Sequence, residues 1–496
     1  MSLRLAGREA VSGAVERAAR WVTTTTYLRR WLALGVAIGA IAGAGAVVFF
    51  TLLRLGTNLF LGHLVGFQVP TPHGEGDLAG SVEAVRAWAF PLVVAAGGLV
   101  SGLLVYGLAP EAEGHGTDAA IAAVHKNPRG IRARAVAVKI VASAITIGSG
   151  GSGGREGPTA QISAGFGSLL ARTLNLSPSD ARIAVSVGIG SGIGAIFRAP
   201  LGGAVLAMEI IYRDDMETES FVPALIASIV SYAVFGAAEG FQPMFQVLAP
   251  YHFAAAQLGW FALIGVVCGL VGLLYSGGFY AIAGAFERIK LPRALRPAIG
   301  GLCVGCIAVA LPEVLGTGYG WVQQGLDRHG LLALPLAAVV ALPFARIVAT
   351  GLSIGSGGSG GIFGPGMVIG AFSGAAIWRL LEPVAPGVPH SPAPFVIVGM
   401  MACFGSICRA PLAVMLMVAE MTSSLEVLAP AMLAVGIATL IVRRSDATIY
   451  RAQHRTRTDS PAHRLQLGMP LLASVTAAEV MSRPRLVLEA GTAAAA

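Results

Sequence analysis

Residues Gly148-Ser149-Gly150-Gly151-Ser152-Gly153-Gly154-Arg155-Glu156-Gly157-Pro158 return as Gly355-Ser356-Gly357-Gly358-Ser359-Gly360-Gly361-Ile362-Phe363-Gly364-Pro365, with nine of eleven positions identical and an offset of 207. A second echo follows each copy. Arg198-Ala199-Pro200-Leu201 leads to Glu209, and Arg409-Ala410-Pro411-Leu412 leads to Glu420, each with eleven residues from Arg to Glu and an offset of 211. One glycine-rich match is weak evidence of duplication, but two in the same order divide the chain into related halves, roughly 31–240 and 254–445. Interrupted hydrophobic segments at corresponding places in two halves point to a transport site near the bilayer midplane, and an inverted pair is expected because transporters with broken helices often use one.

Working outward, the whole chain reads as membrane-embedded. Of its 496 residues, 55% are hydrophobic and 12% charged, against about 25% charged in soluble domains; mean hydropathy is +0.73. Charge-free stretches recur at 31–53, 87–110, 221–238, 240–286, 297–312, 347–378 and 427–442. Several reach the roughly 20 residues a crossing helix needs, and 240–286 is long enough for two crossings. The 66 glycines and 27 prolines exceed what straight spans need; broken backbone at membrane depth is tolerated only where protein buries it or it lines a wet cavity. The expected fold class is an all-α polytopic membrane protein with broken, re-entrant helices.

Net charge is +8, and its placement explains it. Arg4, Arg8, Arg17, Arg20, Arg29 and Arg30 precede the first span, and Arg443, Arg444, Arg451, Arg455 and Arg457 follow the last, whereas 63–86 carries Glu75, Asp77 and Glu83 against Arg86. The positive-inside rule places both termini in the cytoplasm, with an even number of crossings. No basic patch interleaved with aromatics argues for nucleic acid. The Arg-rich residues 1–30 have no early apolar core, so they read as a cytoplasmic segment rather than a cleaved signal peptide. Cys303 and Cys306 form a CxxC without a second pair and read, with Cys268, Cys403 and Cys408, as buried small residues. No cofactor or metal motif is expected. The polar tail, 446–496, is a separate cytoplasmic segment.

Each glycine loop ends in Gly-Pro before an apolar run, 159–171 or 366–378. Proline early in a helix sits where its missing N–H costs nothing. Each loop therefore feeds a helix N-terminus, whose free N–H groups and partial positive charge suit an anion. Dipoles rather than full charges also let the ion leave. A P-loop would need Gly-Lys-Ser/Thr where Arg155-Glu156-Gly157-Pro158 stands, and a dinucleotide fold would need a preceding strand. Gly202 and Gly203 read as close-packing residues. Glu156 is a carboxylate inside an anion site, and an ionisable group there is functional by default. Ionised, it competes with the permeant anion; protonated, it swings aside. Glu209 and Glu420 read as groups that hold helix ends together. No nucleophile–base set or HExxH motif argues for an enzyme.

At these residues the chain resembles the CLC family of chloride channels and proton/chloride antiporters, over about 31–455. Gly154-Arg155-Glu156-Gly157-Pro158 matches its second anion motif, with Glu156 at the gating glutamate, and Gly361-Ile362-Phe363-Gly364-Pro365 matches the third. The resemblance implies a central anion held by the amides of Ile362 and Phe363, an inner tyrosine at Tyr450, anion-site roles for Gly154, Arg155 and Gly157, inverted halves, and a homodimer with one pore per subunit in the cell membrane. The tail from Ala473 resembles the start of a cystathionine-β-synthase (CBS) domain. Two positions depart from the family pattern. Gly114-His115-Gly116-Thr117-Asp118 stands where GSGIP is usual, so His115 replaces the anion-coordinating serine and its titratable N–H makes anion binding pH-dependent. Ile210 stands at the inner proton-relay glutamate of many antiporters. The expected function is transport of chloride or a similar small inorganic anion, leaning to passive conduction, with proton-coupled antiport as the alternative.

Overall fold

The computed structural model describes residues 13, 16–21, 24–76, 80, 84–248 and 251–463. The CBS-like reading of the tail from Ala473 lies outside them. The first half folds as α1 (Tyr27–Thr57), α2 (Phe90–Leu108), α3 (Thr117–Lys126), α4 (Ala133–Gly148), α5 (Glu156–Thr173), α6 (Pro178–Ile196), α7 (Pro200–Glu209) and α8 (Phe221–Glu239). The second folds as α9 (Leu258–Arg288), α10 (Arg296–Ala310), α11 (Tyr319–Leu326), α12 (Arg328–Ala333), α13 (Leu336–Ile354), α14 (Phe363–Leu381), α15 (Ala393–Ile407), α16 (Pro411–Thr422) and α17 (Leu428–Arg444). Among the described residues β pairing is confined to isolated bridges, so the fold class is all-α as read from the sequence.

Local chemistry starts the helices. The Ser177 side chain accepts from Asp180 N at 3.1 Å, and Pro178 opens α6. Arg198 and Arg409 adopt φ of 57° and 59°, which turns the chain sharply into α7 and α16 at Pro200 and Pro411. Six helices among the described residues are long and apolar enough to cross a membrane. One expectation fails: 240–286 makes a single crossing helix, α9, preceded by an irregular approach. Gly240 at φ 88° stops α8, and Pro243 and Pro250 discourage a new helix before Leu258. The cysteine reading is also corrected in part, since Cys303 and Cys306 are exposed on α10 while Cys268, Cys403 and Cys408 are buried.

The halves are related by inversion. Arg198 donates to Gln242 O and Glu239 O, both at 2.7 Å, closing the end of α8. Its counterpart Arg409 donates to Ala447 O at 2.8 Å and Val442 O at 3.5 Å, closing the end of α17. These two caps face opposite ways. Arg198 abuts the turn at Gly74, whereas Arg409 lies 3.9 Å from Asp446, in the tail. The start of α1 and the tail meet at Glu219, whose carbonyl accepts from Tyr27 Oη at 3.2 Å and whose carboxylate lies 3.3 Å from Arg457. Both described ends thus share one face, here the terminal face, and residues 63–76 lie on the other.

The short helices α7 and α16 cap each other. Glu209 accepts from Leu412 N and Ala413 N at 3.2 and 2.7 Å, and Glu420 accepts from Leu201 N and Gly202 N at 3.1 and 2.7 Å. Each carboxylate satisfies orphan donors at the partner's N-terminus and sits at its positive end. A Cβ on Gly202 would fall 2.2 Å from Met417 Cγ, so close packing of α7 on α16 needs a glycine there.

Candidate anion site

The glycine loops cross at the centre of the molecule. Gly154 N donates to Gly361 O at 2.7 Å and Gly361 N donates to Gly154 O at 2.6 Å. Ser143 Oγ meets Ser359 Oγ at 2.9 Å, and the repeat counterparts Ser152 Oγ and Thr350 Oγ1 meet at 3.0 Å. A third echo completes the arrangement. Pro110-Glu111-Ala112-Glu113-Gly114-His115-Gly116 corresponds to Pro312-Glu313-Val314-Leu315-Gly316-Thr317-Gly318, at an offset of 202. Gly114 N donates to Gly358 O at 3.1 Å and Gly316 N to Gly150 O at 3.3 Å, so each of these loops leans on a glycine string of the other half.

A buried cation fastens each loop. Lys139 Nζ donates to Ala112 O and Gly114 O at 3.1 and 2.7 Å. Arg346, its counterpart at an offset of 207, donates to Glu313 O, Leu315 O and Gly316 O at 3.0, 3.2 and 2.6 Å. Both side chains are fully buried, and neither makes a salt bridge among the described residues. Among the described residues, backbone carbonyls alone hold both groups in place.

Glu156 opens α5 and is 0% exposed. Its Oε1 accepts from Tyr319 Oη at 2.5 Å and its Oε2 from Gly364 N at 3.1 Å. The carboxylate therefore takes an N–H at the start of α14, the kind of donor an anion would use. Gly154 spends its own N–H on Gly361; its contribution is space, since a Cβ there would lie 2.2 Å from Glu156 Oε2. Gly157 also contributes by lacking a side chain, because a Cβ would lie 2.1 Å from His115 O. Arg155 points away from the crossing, paired with Glu75 and 3.8 Å from Glu156 Oε1. Ile362 and Phe363 stand at the N-terminus of α14, where the first N–H groups have no acceptor within the helix. Ile362 O accepts from Tyr275 Oη at 2.7 Å, which fixes the turn.

Beneath Phe363, towards the terminal face, Phe404 packs on both Phe363 and Tyr450, with ring centroids 4.1 and 6.5 Å away. Tyr450 is fully buried, its ring 5.6 Å from that of His115. The Tyr450 hydroxyl faces Thr117, yet Tyr450 Oη, Thr117 Oγ1 and His115 Nδ1 are all buried without a hydrogen bond of normal geometry. Three unsatisfied polar atoms on one wall mark a place for a polar guest. His115 Nε2 lies 3.2 Å from Asp118 Oδ2. With a proton on Nε2 for Asp118, Nδ1 presents a lone pair; it donates to an anion only as imidazolium. His115 also lines a cavity of about 160 Å³ with Glu113, Glu287 and Arg296. Ile210 is buried and apolar, and its carbonyl accepts from Gln453 at 2.9 Å.

Residues 97–443 match the voltage-gated chloride channel family. The chain belongs to that family, the CLC proteins. It is 34% identical to a putative chloride channel protein, ClcB-like, of Ralstonia nicotianae, over 78% of this chain and 90% of that one. It is 30% identical to the H+/Cl− exchange transporter ClcA of Vibrio vulnificus, over 68% of this chain and 73% of that one. Two solved folds superpose with a TM-score of 0.72: a slow cyanobacterial Cl−/H+ antiporter (22% identity, 85% of this chain and 96% of that one) and a CLC-type fluoride/proton antiporter (21%, 87% and 100%). This CLC protein is therefore an integral membrane anion transporter.

Tyr319, Tyr275, Thr117, Lys139 and Glu75 escaped the sequence reading. The repeats were the available signal for three of them. The third echo, carried one residue further, aligns Thr117 with Tyr319, and the offset of 207 aligns the string Lys139-Ile140-Val141-Ala142-Ser143 with Arg346-Ile347-Val348-Ala349-Thr350. Nothing local marks Tyr275 or Glu75.

Proposed function

We propose that this CLC protein moves chloride or a similar small inorganic anion across the cell membrane, as a homodimer with both termini cytoplasmic, and that Glu156 is the gate. The carrying observation is the Glu156 carboxylate, held by Gly364 N–H and Tyr319 O–H above the unsatisfied Tyr450, Thr117 and His115 atoms. Ionised, the carboxylate occupies the anion's place. Protonated, it loses its claim on those donors and the path opens. In this reading the amides of Ile362 and Phe363 and the Tyr450 hydroxyl receive the central anion, while Lys139 and Arg346 supply the surrounding positive potential. Ile210 carries no proton, which favours passive conduction.

Proton-coupled exchange is the second reading, and His115 favours it. Its Nδ1 becomes a donor only on protonation, so at that atom the proton and the anion arrive together. The likeness to the H+/Cl− exchange transporter ClcA supports the same reading. Reversal potentials in proteoliposomes with chloride, nitrate and fluoride, at two pH values, separate the two. A voltage following the anion gradient alone supports conduction; one that shifts with a pH gradient supports exchange. Under either reading, Glu156→Ala keeps anion flux and loses its proton dependence. Folded Glu156→Ala protein without flux would overturn the gate.

A further inference from the structure

We propose that Glu75 is a second, outer gate, and that the cavity it borders is a waiting site for the incoming anion. The inference rests on the reading of Glu156 as the inner gate. The cavity, of about 430 Å³, lies on the face opposite the termini and is lined by Arg54, Asn58, His63, Glu75, Arg155 and Thr317, among others. Thr317 is the repeat counterpart of His115, so this cavity and the one at His115 are equivalent mouths on opposite faces.

Arg155 is the buried cation of this mouth, with a side chain 2% exposed. Its Nη2 donates to Glu75, its Nε lies 3.8 Å from Glu156 without a hydrogen bond, and its guanidinium stacks 5.0 Å from the Phe50 ring and 5.4 Å from the Tyr319 ring. One arginine thus serves two carboxylates in series, the inner gate and a loop residue outside it.

Glu75 is held in this position by its turn. The turn His73–Glu75 docks through Gly74 N on Met244 O at 3.1 Å. A Cβ on Gly74 would lie 2.6 Å from both Pro243 O and Arg198 Nη1, so the backbone is wedged against α8's capping arginine. The groups facing Glu75 are Arg54 and His63 from α1 and its extension, Arg155 and Glu156 from α5, Arg198 from the turn before α7, and Tyr319 from α11, with His73 on its own turn. Three of them are arginines and one, Glu156, is a carboxylate.

An anion entering here finds the charge of Arg155 already matched by Glu75. It gains Arg155 only when Glu75 is displaced. The outer mouth then repeats, one step earlier, the competition at Glu156.

The test is anion flux in proteoliposomes with the 63–86 face addressed from one side. Glu75→Gln is expected to lower the half-saturating chloride concentration on that face by about five-fold or more, the usual scale of coupling between linked sites, while the concentration on the terminal face stays unchanged. The same shift is expected when Glu75→Gln is added to Glu156→Ala, which keeps its flux. An unchanged half-saturation in folded Glu75→Gln, or in Glu156→Ala/Glu75→Gln compared with Glu156→Ala, overturns the proposal. Should Glu75→Gln not fold, Glu75→Ala is read in the same way, and an unchanged half-saturation there overturns it. Absence of anion flux from the wild type would instead overturn the transport reading itself.

Discussion

At the scale of single residues, Tyr319 helps to hold the Glu156 carboxylate in place. Its hydroxyl donates to Glu156 at 2.5 Å inside a fully buried pocket. A hydrogen bond to a charged group contributes about 1.5–3 kcal/mol, and each 1.4 kcal/mol is about ten-fold in an equilibrium. Tyr319→Phe should therefore raise chloride flux at neutral pH by roughly ten-fold, up to the level of Glu156→Ala; flux equal to the wild type would remove Tyr319 from gating. Glu156 itself was readable because its motif is contiguous. Tyr319 was not, since α11 is a separate short helix whose reach into the site is set by packing.

Helices α7 and α16 are the elements on which the inversion is easiest to see. The reading of Glu209 and Glu420 as groups that hold helix ends follows from their equal spacing after the two arginines, but sequence alone did not say whose ends. Each caps the other's helix, an arrangement that needs the halves face to face. Glu420→Ala strands two N–H donors at Leu201 and Gly202, at a cost of about 1–3 kcal/mol. The expected result is a lower thermal midpoint in detergent, with flux preserved in the folded fraction. Helix α9 is the counterexample: hydropathy alone suggested two crossings over 240–286, because an apolar irregular approach and an apolar helix look alike until Gly240, Pro243 and Pro250 are weighed as breakers.

Over the whole molecule, the terminal face is fastened by charge. Asp214 pairs with Arg443 at the end of α17 and lies 3.2 Å from Arg455 in the tail. Partial burial works against its carboxylate, but the hydrogen bonds and charges of Arg443 and Arg455 outweigh that and hold its pKa below the ordinary carboxylate range. A depressed pKa contributes stability above the unfolded value, about 3.9, and loses it as pH falls through the folded value. Protection of 446–457 against hydrogen exchange, taken relative to the intrinsic rate at each pH, should thus be high at about pH 6 and fall below about pH 4. Unchanged protection at acid pH would mean that Asp214 does not fasten the tail. Halves and motif were visible in the sequence as repeats, while inversion was expected by analogy with other broken-helix transporters, since a repeat does not distinguish parallel from inverted copies; the tail's attachments join residues more than 200 positions apart without a pattern to announce them.

The crossed glycine strings make the two halves interdependent. Gly154 and Gly361 complete each other's backbone pairing, and Glu209 and Glu420 complete each other's helices. A solitary half would leave all of these donors and acceptors open in a medium that offers no water to satisfy them. A half of this length could satisfy them only by meeting an oppositely inserted copy of itself, so each half serves as part of the other's solvent. Because both copies lie in one chain, the pairing is obligatory, and the two crossing loops can differ at Arg155-Glu156 and Ile362-Phe363 without risk of mispairing.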